Sequence, residues 1–247
     1  MENKTALIFA AGLGTRLRPI TDSMPKALVP VCGEPLLYHV IRKLTSAGYN
    51  HLVVNVHHFP DQIIGYLRGH DFGVRIDISD ERDFLRETGG GIKYARPYLE
   101  GEPFLVHNVD IVSNLDLAWL RGQHRQDALA TLLVSERRTQ RYLLFREDGR
   151  LAGWTNLATG EVRSPFPDLD PSACRRLAFA GIHCISPEIF RAFETLQMPD
   201  RFPIMDFYLQ ACARYPIYAA PARNLTLVDV GKLDTLAEAE EICRSLV

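Results

Sequence analysis

Long apolar runs are absent from these 247 residues: nothing approaches the roughly 20 consecutive apolar side chains that cross a bilayer, so no membrane partner is expected. An excess of either charge is absent as well. The 28 Lys and Arg against 30 Asp and Glu leave a formal net charge of −2, which gives no global attraction to nucleic acid or anionic lipid. Cysteine is sparse: Cys32, Cys174, Cys184, Cys212 and Cys243 are odd in number, scattered, and form no C-x-x-C pair. That argues against a disulfide framework or thiolate metal site and predicts a reducing, cytoplasmic setting. None of the eight histidines falls in an H-E-x-x-H spacing, and the neighbours His57 and His58 point opposite ways along a strand. Only Trp119 and Trp154 are tryptophan, too few for an aromatic box around a quaternary amine. The opening Met1-Glu2-Asn3-Lys4 is polar, unlike a secretion signal, and there is no internal repeat of the kind that builds a C-terminal β-helix.

What the sequence does carry is concentrated in residues 10–30. An apolar strand pattern, Thr5-Ala6-Leu7-Ile8-Phe9, runs into Ala10-Ala11-Gly12-Leu13-Gly14-Thr15-Arg16, and a helical spacing of apolar residues follows over 36–47. A glycine-rich loop at a strand exit brings backbone N–H groups close to phosphate oxygens without obstructing side chains. Arg16, Arg18 and Lys26 add fixed positive charge, which suits a polyphosphate. The loop is not a dinucleotide fingerprint, because Leu17 stands where a third glycine belongs. Nor is it a Walker loop, since Lys26 lies between Pro25 and Ala27.

Apolar strand and helix patterns alternate through the first half: strands at 52–56, 74–78 and 103–107, helices at 60–67 and 91–99. This rhythm predicts an α/β fold, a Rossmann-like, mostly parallel mixed sheet flanked by helices. Short strands at 130–134, 142–145 and 150–153 follow, then a proline-containing loop over 161–172. A strand at 178–185, helices at 187–196 and 203–214, a strand at 225–230 and a helix at 233–246 complete a single domain, 1–247. Asn108 and Asp110 follow one strand, and Asp229 closes another before a glycine and a helix. Strand-end carboxylates point into the ligand site of such sheets.

Gly12, Gly14, Thr15, Arg16, Pro19, Thr21, Pro25 and Lys26 together resemble the signature loop of the sugar-phosphate nucleotidyltransferases, G-x-G-T-R-x-x-P-x-T followed by P-K. The resemblance implies a GT-A-like fold in one catalytic domain. It also implies transfer of a nucleoside monophosphate from an NTP to a sugar 1-phosphate, with Mg2+ as cofactor. Carried over residue by residue, it assigns catalysis to Arg16, Lys26 and Asp110, and magnesium to Asp110 and Asp229. Nucleotide and sugar contacts fall to Ala11, Gly12, Gly14, Thr15, Arg16, Lys26, Thr88, Gly89, Asn108 and Gly181. Glu87-Thr88-Gly89-Gly90-Gly91-Ile92, the stretch 179–187 and the tail 228–240 are similar to N-acetylmuramate-1-phosphate uridylyltransferases and to mannose-1-phosphate guanylyltransferases. UTP with N-acetylmuramic acid 1-phosphate is therefore the favoured pair, mannose 1-phosphate with GTP the alternative, and a non-catalytic sugar-nucleotide sensor the rival of another class. A homo-oligomer is compatible with the sequence. The Glu-Lys-Pro lysine that meets the sugar phosphate in some members has no match in 161–176; Arg175 and Arg176 are the basic residues at hand.

Overall fold

A computed structural model describes residues 3–245, the side chain of Ser245 excepted. The chain opens with β1 (Thr5–Phe9), a small hairpin β2 (Pro30–Val31) and β3 (Glu34–Pro35), and α1 (Leu36–Ser46). Next come β4 (His51–Val56), α2 (Pro60–Arg68), β5 (Arg75–Asp80), α3 (Glu87–Tyr94), α4 (Arg96–Leu99) and β6 (Phe104–Asn108). β7 (Ile111–Ser113), α5 (Leu117–Gly122), β8 (Ala130–Ser135), β9 (Arg141–Phe145), β10 (Leu151–Asn156), β11 (Glu161–Arg163) and β12 (Arg175–Ile185) follow. The chain closes with α6 (Glu188–Thr195), α7 (Ile204–Ala211), β13 (Ile217–Pro221), β14 (Leu227–Asp229) and α8 (Asp234–Ser245).

The main sheet runs β11-β10-β9-β12-β6-β1-β4-β5, with β8 beside β12 and β13 beside β8. Its β6-β1-β4-β5 half is parallel, while β12 joins β6, β8 and β9 antiparallel. Parallel strands are covered on both faces, which is why β1 and β4 are apolar at nearly every position. Alternate residues serve opposite layers. Ala6 and Ile8 pack with α1 residues Leu37, Val40 and Ile41; Leu7 packs with α6 and α7 residues Phe193 and Phe207.

The structure departs from the sequence reading in several places. The helix expected at 91–99 starts earlier, at Glu87, so the three glycines lie inside α3, and α4 is a separate turn. Pro97 lacks the N–H that would continue the α3 ladder. The loop expected over 161–172 contains β11, an exposed edge strand on β10, and β12 already begins at Arg175. β7, α5 and β13 were not foreseen. The terminal helix expected to reach Leu246 is described as far as Ser245; Leu246 lies outside the described residues.

Candidate active site

The carboxyl ends of β1, β4 and β6 lie side by side, Phe9 being flanked by Asn55 and by Asn108. This is the edge at which open α/β sheets bind ligands. The chain leaves β1 here, and Asn55 fixes its departure: Asn55 Oδ1 accepts from the Ala10 amide at 2.8 Å. Asn55 Nδ2 in turn donates to Glu81 Oε1 at 2.9 Å. Glu81 is fully buried, and burial raises its pKa above the ordinary glutamate value, with the Asn55 hydrogen bond opposing. Sequence reasoning passed over this pair. The available signal was a lone asparagine inside the apolar strand Leu52-Val53-Val54-Asn55-Val56.

Beyond Ala10 the loop folds over itself. Gly14 has φ +65, and its carbonyl accepts from the Leu17 amide and the Thr21 hydroxyl, both at 2.8 Å. A Cβ at Gly14 would stand 2.9 Å from Thr21 Cγ2 and 3.1 Å from Lys26 Cβ, so both the dihedral and the space demand glycine. Among the described residues the amides of Ala11, Gly12 and Leu13 donate to no backbone carbonyl, which leaves three donors for a ligand.

A cleft of about 580 Å³ opens at this edge, and Ala11, Gly12, Gly14, Thr15, Arg16, Lys26, Thr88, Asn108 and Asp110 all line it. Lys26 is buried and its ammonium pairs with the Asp110 carboxylate. Asp229 reaches the same place from the far end of the chain. β14 pairs antiparallel with β7, placing Asp229 opposite Ile111, and the Val230 amide donates to the Asp110 carbonyl at 2.8 Å. Burial and then the neighbouring Asp110 charge raise the Asp229 pKa above the ordinary aspartate value, while Lys26, Arg16 and Arg137 pull it back. Arg16 lies over Gly231: a Cβ there would fall 2.6 Å from Arg16 Nη2 and 2.8 Å from Asp229 Oδ1. Two carboxylates and two cations therefore converge beside a row of amides.

The remaining expected residues are placed differently. Gly89 does not line the cleft. Its amide donates to the Phe202 carbonyl at 2.8 Å, and a Cβ on it would meet the Phe202 ring at 2.2 Å. Gly90 is equally enclosed: a Cβ on it would meet the Asp200 carbonyl oxygen at 2.2 Å. The glycines let α3 touch the segment before α7, where the Thr88 hydroxyl accepts from the Ile204 amide at 2.8 Å. Gly181, at φ +73 in a break of the β12 register, faces the Asn108 side chain rather than the cleft. Cleft residues not foreseen are Leu85, Pro203, Gly231 and Glu87, the last with its backbone in the left-handed region at φ +59 and its carboxylate 3.1 Å from Arg201 Nε. Arg175, on β12, is paired with Glu136 at 2.6 Å.

The nucleotidyl transferase family profile matches residues 5–150. An N-acetylmuramate alpha-1-phosphate uridylyltransferase of Caulobacter vibrioides is 37% identical over 194 residues, 75% of this chain and 76% of that one. A mannose-1-phosphate guanylyltransferase catalytic subunit beta of Xenopus tropicalis is 39% identical over 111 residues, 43% of this chain and 31% of that protein. The crystal structure of HddC from Yersinia pseudotuberculosis complexed with GMP-PN superposes with a TM-score of 0.75 at 22% identity, covering 96% of this chain and 98% of the other, a likeness of fold.

Proposed function

The chain belongs to the nucleotidyl transferase family, and on that premise we propose that it joins a nucleoside triphosphate to a sugar 1-phosphate, releasing pyrophosphate. The observation that carries this reading is the convergence of Asp110, Asp229, Lys26 and Arg16 beside the unused amides of the β1 loop. We favour UTP and N-acetylmuramic acid 1-phosphate, supported by a uridylyltransferase relative that aligns over three quarters of both chains. Guanylyl transfer to mannose 1-phosphate is the second reading; guanylyltransferase relatives align over as much of this chain, at lower identity and over about half of their own length. We place the reaction in one catalytic domain in the cytoplasm, in keeping with five free thiols and, among the described residues, no helix long and apolar enough to cross a membrane.

The donor set fits a magnesium ion. Among the described residues no group of three His, Cys, Asp or Glu side chains gathers into a metal site. Two adjacent carboxylates whose charges repel do occur, and Mg2+ takes one or two carboxylates with phosphate oxygens and water. Asp110 and Asp229 would hold it, and when bound it supplies charge neutralisation between the two substrate phosphates.

The chain's own residues account for the rest. A sugar phosphate is ionised at neutral pH and needs no general base. One of its oxygens forms a bond to the α-phosphorus in line with the bridging oxygen, whose bond breaks and whose electron pair leaves with pyrophosphate. The Ala11 to Leu13 amides cradle the phosphates. Arg16 holds the β and γ groups as charge grows on them, and Lys26 neutralises the α-phosphate region. Asn108 and Thr88 orient sugar and base at the same edge. Pyrophosphate release with magnesium, each of five nucleoside triphosphates and a panel of sugar 1-phosphates tests the proposal. Release with no pair removes it, and a preference for GTP with mannose 1-phosphate promotes the second reading.

A further inference from the structure

Among the described residues Glu81 is the only Asp or Glu that is buried. It directly follows β5 and lies behind the nucleotide cleft, outside its lining. Its main chain is fastened to the end of β4: the Glu81 amide donates to the Val56 carbonyl at 2.8 Å, and His57 Nδ1 donates to the Glu81 carbonyl at 2.7 Å. A buried carboxylate has to be met by hydrogen-bond donors, and here each oxygen meets a donor from a different wall of the cleft.

On the phosphate side, Oε1 accepts from Asn55 Nδ2 at 2.9 Å while Asn55 Oδ1 accepts from the Ala10 amide at 2.8 Å. That chain of bonds ends at the residue from which the Ala11 to Leu13 amides depart. On the other side, Oε2 accepts from the Arg86 amide at 3.4 Å, and Arg86 lies between two lining residues, Leu85 and Glu87. The Arg86 carbonyl accepts in turn from the Phe202 amide at 3.3 Å, next to the lining residue Pro203. Gly91 of α3 closes over the pair. A Cβ on it would stand 3.0 Å from both Asn55 Nδ2 and Glu81 Oε1, so the third glycine of that helix makes room for this contact as Gly89 does for Phe202.

We infer that Glu81 is a positioning residue: it holds the phosphate loop at a set distance from the 85–88 wall, so that a ligand engaging both walls meets them already spaced. The inference rests on the proposed reading for the identity of that ligand, a nucleoside triphosphate whose phosphates take the loop and whose base takes the 85–88 side. Preorganisation of this kind favours ligands that bridge the walls over ligands that occupy one. A carboxylate suits the place because it only accepts; a carboxamide would keep one bond and turn a donor toward the other donor.

The parent, Glu81→Gln and the double variant Asn55→Asp with Glu81→Gln are titrated calorimetrically, with magnesium, against non-hydrolysable analogues of UTP and GTP and against inorganic tripolyphosphate. Glu81→Gln is expected to weaken the analogue that the parent prefers by roughly 5- to 100-fold, the range of one buried donor left unpaired, and to leave tripolyphosphate binding unchanged. The double variant exchanges acid and amide. Its new carboxylate accepts from the Ala10 amide and from the new carboxamide, whose oxygen then faces the Arg86 amide, so all three bonds return. It is expected to regain most of the lost affinity. Equal analogue affinity in parent and Glu81→Gln overturns the inference. So does an equal loss for analogue and tripolyphosphate, or a double variant no better than the single one, because either result describes a carboxylate that only supports the fold. Gly91→Ala crowds the same pair without removing a polar group and covers the case in which Glu81→Gln does not fold; it is expected to show the same selective loss, and unchanged or equally reduced affinities there overturn the inference. Selective loss and recovery, with a parent that releases pyrophosphate with no sugar phosphate, keep the inference and remove the proposed reaction. A parent that binds neither analogue removes both.

Discussion

The Val230 amide donates to the carbonyl of Asp110 at 2.8 Å, and through that bond two carboxylates from opposite halves of the chain are held in register. The short β7–β14 pair exists around it, with Asp229 opposite Ile111. Neither carboxylate is placed by its own side chain's bonding alone; the backbone ladder sets their spacing, and Lys26 on Asp110 offsets part of their repulsion.

Asp110→Asn and Asp229→Asn are expected to reduce pyrophosphate release to a residue of parent activity, since an amide keeps the shape and loses the charge. Their stabilities should diverge. The Asp229 pKa is raised in the fold, so its ionised form costs stability at neutral pH, and the cost disappears on protonation. Asp229→Asn should therefore melt above the parent in the presence of a chelator. Asp110→Asn should melt below it, because Lys26 loses its partner while buried. Melting curves at pH 7 in both variants decide this; a lower Tm for Asp229→Asn contradicts it.

Arg16→Ala and Lys26→Ala should lower kcat more than they raise KM for nucleotide, because the charge they meet grows as the bridging bond breaks. Losses of about 100- to 1,000-fold are typical for a preorganised group of this kind. Gly231→Ala should reproduce much of the Arg16 effect without unfolding the protein. The new methyl would overlap the ends of two side chains, Arg16 Nη2 and Asp229 Oδ1, and moving them aside takes the guanidinium, and with it the Asp229 carboxylate, off the site. Steady-state kinetics on the three variants test this, and a pure KM effect would make Arg16 and Lys26 anchors only.

Gly89→Ala should destabilise the fold by about 1–3 kcal/mol or prevent it from forming, through overpacking against Phe202. Chemical denaturation measures it. An unchanged midpoint would mean that the 200–202 segment yields freely.

Acid should weaken the fold early. His107 and His183 are fully enclosed, and burial pushes their pKa values down to about 4 and about 3 from an ordinary value of 6.5. Both folded values lie below the unfolded one, so the stabilisation is complete above pH 6.5 and is lost as pH falls toward 4 and 3. His183, bonded to the Tyr208 hydroxyl at 2.7 Å, can be isolated. His183→Gln should show a shallower fall of Tm between pH 7 and 5 than the parent, by the equivalent of one proton.

The parallel half of the sheet was legible because its strands are apolar runs bounded by turn residues, as in Thr5–Phe9 and His51–Val56. The loop residues and both aspartates stand out by type and position, and the fold brings the loop and Asp110 to one cleft with Val230, next to Asp229, bonded to the Asp110 carbonyl. What escaped was partnership. Ile217–Pro221, flanked by Pro216 and ending in a proline, carries little strand signal of its own and is a strand because β8 offers a parallel edge. Gly89 looks like a ligand-facing glycine in sequence, and only the fold reveals Phe202 against it.

The enclosure of Gly89 and Gly90 by Asp200 and Phe202 couples two stretches of chain that are far apart in sequence. The six residues from Glu87 to Ile92 cannot be exchanged as a cassette. Side chains larger than hydrogen at those positions require a differently shaped 200–204 segment, and that segment in turn begins α7 through the Thr88–Ile204 bond. The two stretches form one heritable unit despite their separation in the gene. A chimera that grafts the first alone should arrive misfolded, and one that carries both should fold with the donor's cleft floor.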